Sequence, residues 1–175
     1  YVYGFLAASV GSTVISFARD LSMSLGAAAE TATLLVGILS ICNGFGRILC
    51  GVSFDTLGRR KAMILASEVT VIAPAIMLAA ILSSSLPLAI LSFCLTGVSY
   101  GTVPTVSAAF IAAFYGTKDY ALNYSISNTK LLFSSFSATA AAALLSSTGS
   151  YFAPFVLLFA MAVAAFVLVF AIRKP

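Results

Sequence analysis

Six apolar runs of about 20 residues follow one another along the chain, near residues 1–18, 31–54, 61–82, 88–115, 121–145 and 151–172. A helix rising about 1.5 Å per residue needs a run of that length to cross about 30 Å of hydrocarbon. The runs are not the core of a water-soluble domain. The 175 residues are 61% hydrophobic and 8% charged, and the mean hydropathy is +1.11, well beyond what burying a core requires. Period-2 alternation is absent, which argues against a barrel. The fold class is therefore all-α integral membrane, with six transmembrane helices. Their connections, "RDLSMSLGAAAE", "DTLGRRK", "SSSLP", "GTKDY" and "SSTGS", carry turn chemistry, and all but the first are short, so consecutive helices should lie together.

Charge placement orients the bundle. If the spans alternate, Arg59, Arg60, Lys61, Lys118, Arg173 and Lys174 share one side, and the other has only Arg19, beside Asp20 and near Glu30. The positive-inside rule makes the first side, and the C-terminus, cytoplasmic. The net charge of +4 is then a topology signal rather than a sign of nucleic-acid binding. Cys42, Cys50 and Cys94 lie inside apolar runs at no metal-ligand spacing and read as small buried residues. The chain has no His, which excludes an imidazole proton relay within it. It opens "YVYGFLAAS" without an initiator Met and is expected to be a piece of something longer.

Between the second and third runs stands "GRILCGVSFDTLGRRKAM". Gly51 should permit close helix approach, Gly58 chain reversal, and Asp55 a cap or complement to a helix N-terminus, while Arg59, Arg60 and Lys61 hold the loop in the cytosol. The spacing Gly51-x-x-x-Asp55-x-x-Gly58-Arg59-Arg60 resembles the loop signature that follows the second helix of each half of the major facilitator superfamily, with Thr56 where that family usually has a basic residue. The resemblance implies two six-helix bundles facing each other across a central cavity, with substrate near the midplane. The short basic tail after the sixth run fits a C-terminal half, helices seven to twelve. The partner would be an N-terminal six-helix half, or a second subunit if the chain is complete.

Arg47 and Lys130 are charges that orientation does not explain. Arg47 lies eight residues before Asp55 and Lys130 eight after Leu122, so both should stand about 12 Å above the cytoplasmic helix ends, at one depth. An isolated cation there costs about 2.5–3.5 kcal/mol on insertion scales. Each sits on a polar stripe: Ser40 and Asn43 precede Arg47 by seven and four residues, and Ser127, Ser134 and Ser137 share the face of Lys130. Similar stripes run through Ser9, Thr13 and Ser16, and through Thr96, Ser99 or Tyr100, and Ser107. A hydroxyl-lined cavity with two cations suits a small anion: Arg offers a planar fork for a carboxylate, Lys a point charge for a further oxygen. Phosphate or sulfate would also satisfy them. Glu68 is the one intramembrane acid, and one acid does not neutralise two cations. Gly37, Gly44, Gly46 and Gly51 are expected to permit tight helix packing, and Pro74 and Pro104 to kink their helices.

"NGFGRILCG", "GVSYGTVP" with "AAFYG", and "NYSISNTK" together resemble the oxalate/formate antiporter family. That resemblance places substrate-binding roles on Arg47 and Lys130. The polar stripes add Asn43 to the expected binding residues and Ser40, Ser99, Ser127 and Ser134 to the cavity lining, while Tyr100 either faces the substrate or packs with its hydroxyl on a neighbouring backbone. The proton-coupled monocarboxylate carriers are the nearest alternative. They typically place an Asp where this chain has Asn43, and an amide does not titrate, which leaves Glu68 as a candidate for proton coupling. The aromatic cage of the oxalate member includes Trp, and this chain has none. The expected function is secondary active transport of small organic anions, mono- or dicarboxylates, by alternating access in a bacterial or archaeal plasma membrane. A non-transporting membrane module is a further alternative. No nucleophile-base pair, metal cluster or phosphate loop points to an enzyme, and no cofactor is expected.

Overall fold

Residues 1–172 are described by a computed structural model. The helices are α1 Val2–Ser24, α2 Ala29–Leu57, α3 Arg59–Leu82, α4 Leu86–Tyr115, α5 Tyr120–Asn128, α6 Lys130–Thr148 and α7 Phe152–Ala171. With α5 and α6 taken together as Tyr120–Thr148, six spans are long and apolar enough to cross a membrane. Arg173 and Lys174, assigned above to the cytoplasmic side, lie outside the described residues.

Helix ends fall where the backbone can be satisfied rather than where apolarity fades. α1 runs past its apolar stretch, through Arg19 and Asp20, to Ser24. Gly26, at φ 91°, then lets Ala27 N–H reach Ser22 O and Gly26 N–H reach Met23 O, both at 3.0 Å. This is a Schellman stop, and it shortens the expected first loop to residues 25–28. Ser84, at φ 49°, ends α3 in the same way, with Ser85 N–H on Ala80 O. Gly58, at φ 78°, is the single residue between α2 and α3 and turns the chain as expected. α3 starts without a side-chain cap bond, so Asp55, exposed at the end of α2, does not cap it.

The expected single helix over 121–145 is divided. Thr129 N–H bonds to Ile126 O at 3.2 Å, and Leu132 N–H to Thr129 O at 3.1 Å. These i→i+3 bonds tighten one turn where α5 passes into α6. The Thr129 hydroxyl donates to Ile126 O at 2.7 Å and accepts from the Tyr1 phenol at 2.7 Å. Lys130 is the first residue beyond this turn.

α4 is the central post, packing on α1, α2, α3 and α5; α1 reaches α2, α4, α6 and α7; and α3 packs chiefly on α4 and α7. The core is layered. One apolar cluster around Leu21, Leu39, Met77, Phe93, Phe155 and Leu158 fills the end away from the basic loops. Another around Tyr3, Cys50, Met63, Val106 and Val169 fills the end beside them. Between the two lie buried hydroxyls, including Ser9, Thr13, Thr70, Thr96, Ser99 and Ser137. Thr13 with Ser137 and Thr70 with Ser99 join helices through their hydroxyls, whereas the Ser9 and Thr96 hydroxyls have no hydrogen-bond partner among the described residues.

Glycine governs the α2–α4 crossing, at Gly46 as the sequence suggests and at Gly97 and Gly101, which it does not single out for packing. A methyl at Gly46 would collide with Val98 O, one at Gly97 with Leu39 O, and one at Gly101 with Asn43 O. The two backbones therefore touch along a seam that only hydrogen side chains permit. Gly37, Gly44 and Gly51 have no neighbour within 4 Å among the described residues, so the packing expected of them does not occur within this bundle. Pro74 and Pro104 lie inside helices that continue through them.

Candidate functional site

Lys130 is 2% exposed. Its ammonium donates to Ser107 Oγ on α4 at 2.6 Å and to Ser127 Oγ on α5 at 3.2 Å. Its stem passes over Gly4 of α1, where an added methyl would stand 2.9 Å from Cδ and 3.1 Å from Cε. Three elements thus build one socket: α1 gives room, α4 and α5 give acceptors, and the Thr129 turn sets where the lysine starts. Ser127 was expected beside Lys130 from helical spacing. Gly4 was not singled out in the sequence, and Ser107 was seen only as one member of a stripe on another helix, because a contact between helices leaves no mark in the spacing of either one.

Arg47, by contrast, is exposed, as is Ser40 one polar step above it on α2. Its backbone crosses α4 at Gly101, where an added methyl would stand 3.1 Å from Arg47 N. Tyr100, next to Gly101, lays its ring against Gly11 of α1. Asn43 Oδ1 is buried without a hydrogen-bond partner among the described residues, an unspent acceptor one turn from Arg47. The Arg47 backbone crosses α4 at Gly101, and the Lys130 ammonium meets α4 at Ser107, six residues on. Tyr100 and Ser107, seven residues apart, lie on one face of α4.

The remaining stripes are largely turned into the bundle. Ser99 shares a 2.5 Å hydrogen bond with Thr70 of α3 and is buried, which commits it to the α3–α4 interface rather than to an open cavity. Ser134 is buried as well; its hydroxyl donates to Leu131 O, and its carbonyl accepts from Ser12 of α1 at 3.5 Å. Ser137 shares a 2.8 Å bond with Thr13. The polar faces of α1 and α6 therefore meet each other, a pairing that periodicity does not reveal.

Glu68 is exposed on α3 and lines a shallow groove with Val71, Ile72 and Phe166. α3 does not touch α5 or α6, and Glu68 forms no ion pair with Lys130. Among the described residues the one ion pair joins Arg19 and Asp20 at 4.0 Å; neither Arg47 nor Lys130 has an acidic partner. The three thiols are free, with Cys50 buried and Cys42 and Cys94 half-buried. No group of three or more His, Cys, Asp or Glu side chains among the described residues is placed to hold a metal ion.

A six-span bundle with apolar ends, a hydroxyl-rich middle and two unpaired cations at membrane depth defines a multi-pass membrane protein organised around polar contacts within the bilayer. The chain belongs to the Major Facilitator Superfamily, whose family profile matches residues 1–175. Among solved structures it is similar to the inward-open xylose transporter XylE from E. coli, with a TM-score of 0.77 and 16% sequence identity over 99% of this chain and 47% of that one. At this identity the likeness is one of fold. The chain spans about half the length of that transporter. None of the curated protein sequences matches the chain.

Proposed function

We propose that the chain is one half, helices seven to twelve, of a secondary transporter that exchanges small organic anions, mono- or dicarboxylates of the oxalate and formate kind, by alternating access. The observation that carries this reading is Lys130: an ammonium buried at membrane depth whose partners are two hydroxyls and no carboxylate. A buried charge is costly until a counter-charge and hydrogen bonds offset it, and intramembrane cations commonly mark a substrate path. An uncharged cargo would leave that charge uncompensated. Arg47, exposed on α2 where its backbone crosses α4 at Gly101, supplies a second station for the same anion. Family membership and the half-length match to a transporter support an N-terminal half across the cavity from this one.

Proton-coupled uptake of a monocarboxylate would rely on a titrating side chain near the cations. Asn43 does not titrate, and among the described residues Glu68 pairs with neither Arg47 nor Lys130, so exchange is the better supported mode. The test is exchange in proteoliposomes of the complete transporter, loaded with labelled formate, oxalate, lactate or succinate and chased with each in turn. At least one carboxylate is expected to exchange. Lys130→Ala should lower that exchange on the order of a hundredfold, as truncating one side of a buried charge contact does. Undiminished exchange by the lysine variant would remove the site assignment.

A further inference from the structure

We propose that Ser107 is a positioning residue for the anion site, aiming the Lys130 ammonium at the cargo; this rests on the reading of Lys130 as the anion's partner. The direction of each hydrogen bond is the basis. Ser107 Oγ donates its single proton to Val103 O at 2.8 Å within α4. The hydroxyl is thereby turned so that its lone pairs accept from Lys130 Nζ at 2.6 Å. An ammonium has three N–H donors. Ser107 takes one and Ser127, at 3.2 Å, takes another, while the third has no partner among the described residues. Two acceptors fixed on different helices, together with the lysine stem seated against Gly4, leave the third N–H a single direction. The site then presents one preset donor to one carboxylate oxygen, and the cargo does not have to order a long flexible side chain on binding. Of the two acceptors Ser107 is the more constraining, because its bond is shorter and its own proton is already engaged.

The experiment is the concentration dependence of labelled oxalate and formate exchange by the complete transporter in proteoliposomes, with thermal unfolding of the same purified proteins measured alongside. Ser107→Ala should raise KM roughly tenfold, the usual weight of a hydrogen bond to a charged group, with the maximal rate changed less than about twofold. Ser107→Thr, which keeps the hydroxyl, should restore KM. Ser107→Cys keeps nearly the same volume but offers a weak acceptor, so it should behave like the Ala variant even if Ala packs poorly. An unchanged or lowered KM in the Ala and Cys variants overturns the proposal. So does a rise in KM that Thr fails to rescue and that tracks a loss of thermal stability, since that is the signature of packing. Exchange that survives Lys130→Ala overturns the anion-site reading itself, whereas loss of exchange there with KM unmoved by Ser107→Ala and Ser107→Cys removes only the role of Ser107.

Discussion

Lys130 and Arg47 are held by opposite means, and their chemistry should differ accordingly. The lysine is enclosed by α1, α4 and α5 and is hydrogen-bonded to Ser107 and Ser127. The arginine stands on an open face of α2, where its own planar shape must provide the specificity. Lysine in its place keeps the charge and loses the bidentate fork. Arg47→Lys is therefore expected to weaken oxalate exchange by about tenfold; a variant with wild-type KM would show that charge alone suffices there. Glu68 provides the contrast, since it lines a groove with Val71, Ile72 and Phe166 and, among the described residues, pairs with neither cation. Glu68→Gln is expected to leave the rate and the pH dependence of exchange as they are, and loss of pH-gradient-driven uptake in that variant would favour proton coupling instead. The sequence located both cations and showed that each sits among hydroxyls, because spacing along one helix defines a face. It did not show what each face meets. Ser137 shares the face of Lys130 yet is spent on α1, the Ser134 hydroxyl is spent on Leu131 O of its own helix, and Ser99 is spent on α3, since the partner of a stripe is decided by tertiary packing.

Elements of this bundle are positioned by what is missing from their surfaces as much as by what is present. Along the α2–α4 seam, Gly97 and Gly101 bring α4 onto the backbone carbonyls of Leu39 and Asn43. Overfilling a packed contact costs about 1–3 kcal/mol, and here the obstacle is backbone, which does not rotate away. Gly101→Leu is expected to lower the thermal unfolding temperature of the purified protein and its yield in folded form. Gly44→Ala, facing open space, should leave both unchanged or raise them slightly, because alanine is the better helix former. Equal melting temperatures for the two variants would contradict the seam. The six spans were legible because about 20 apolar residues leave few alternatives in a membrane. The seam was not, since a glycine in a sequence carries no sign of whether another backbone or open space lies beside it; Gly37, Gly44 and Gly51 looked equivalent to Gly46 for that reason. The tightened turn at Thr129 was also hidden, because apolar length does not change when one turn takes i→i+3 bonds.

At the scale of the proposed carrier, the two cations set which motions are cheap. Alternating access would require the cavity to close at each end in turn, and closing it empty would take the exposed Arg47 from water with no counter-charge and leave Lys130, already buried, without one. Each cation at membrane depth costs about 2.5–3.5 kcal/mol on insertion scales, and a bound carboxylate offsets much of that cost. The empty transporter should therefore reorient slowly, and the loaded one readily. Proteoliposomes preloaded with labelled oxalate provide the measurement: release into buffer lacking any exchangeable anion is compared with release into the same buffer containing unlabelled oxalate. Taking one uncompensated cation as the difference between the two routes, release is expected to accelerate on the order of a hundredfold when the external anion is present. The acceleration should shrink in Lys130→Ala, in which the empty cavity closes around a single cation, even as total transport falls. Equal release with and without external anion would mean that the empty carrier moves freely, and exchange would then give way to net transport as the mode of this protein.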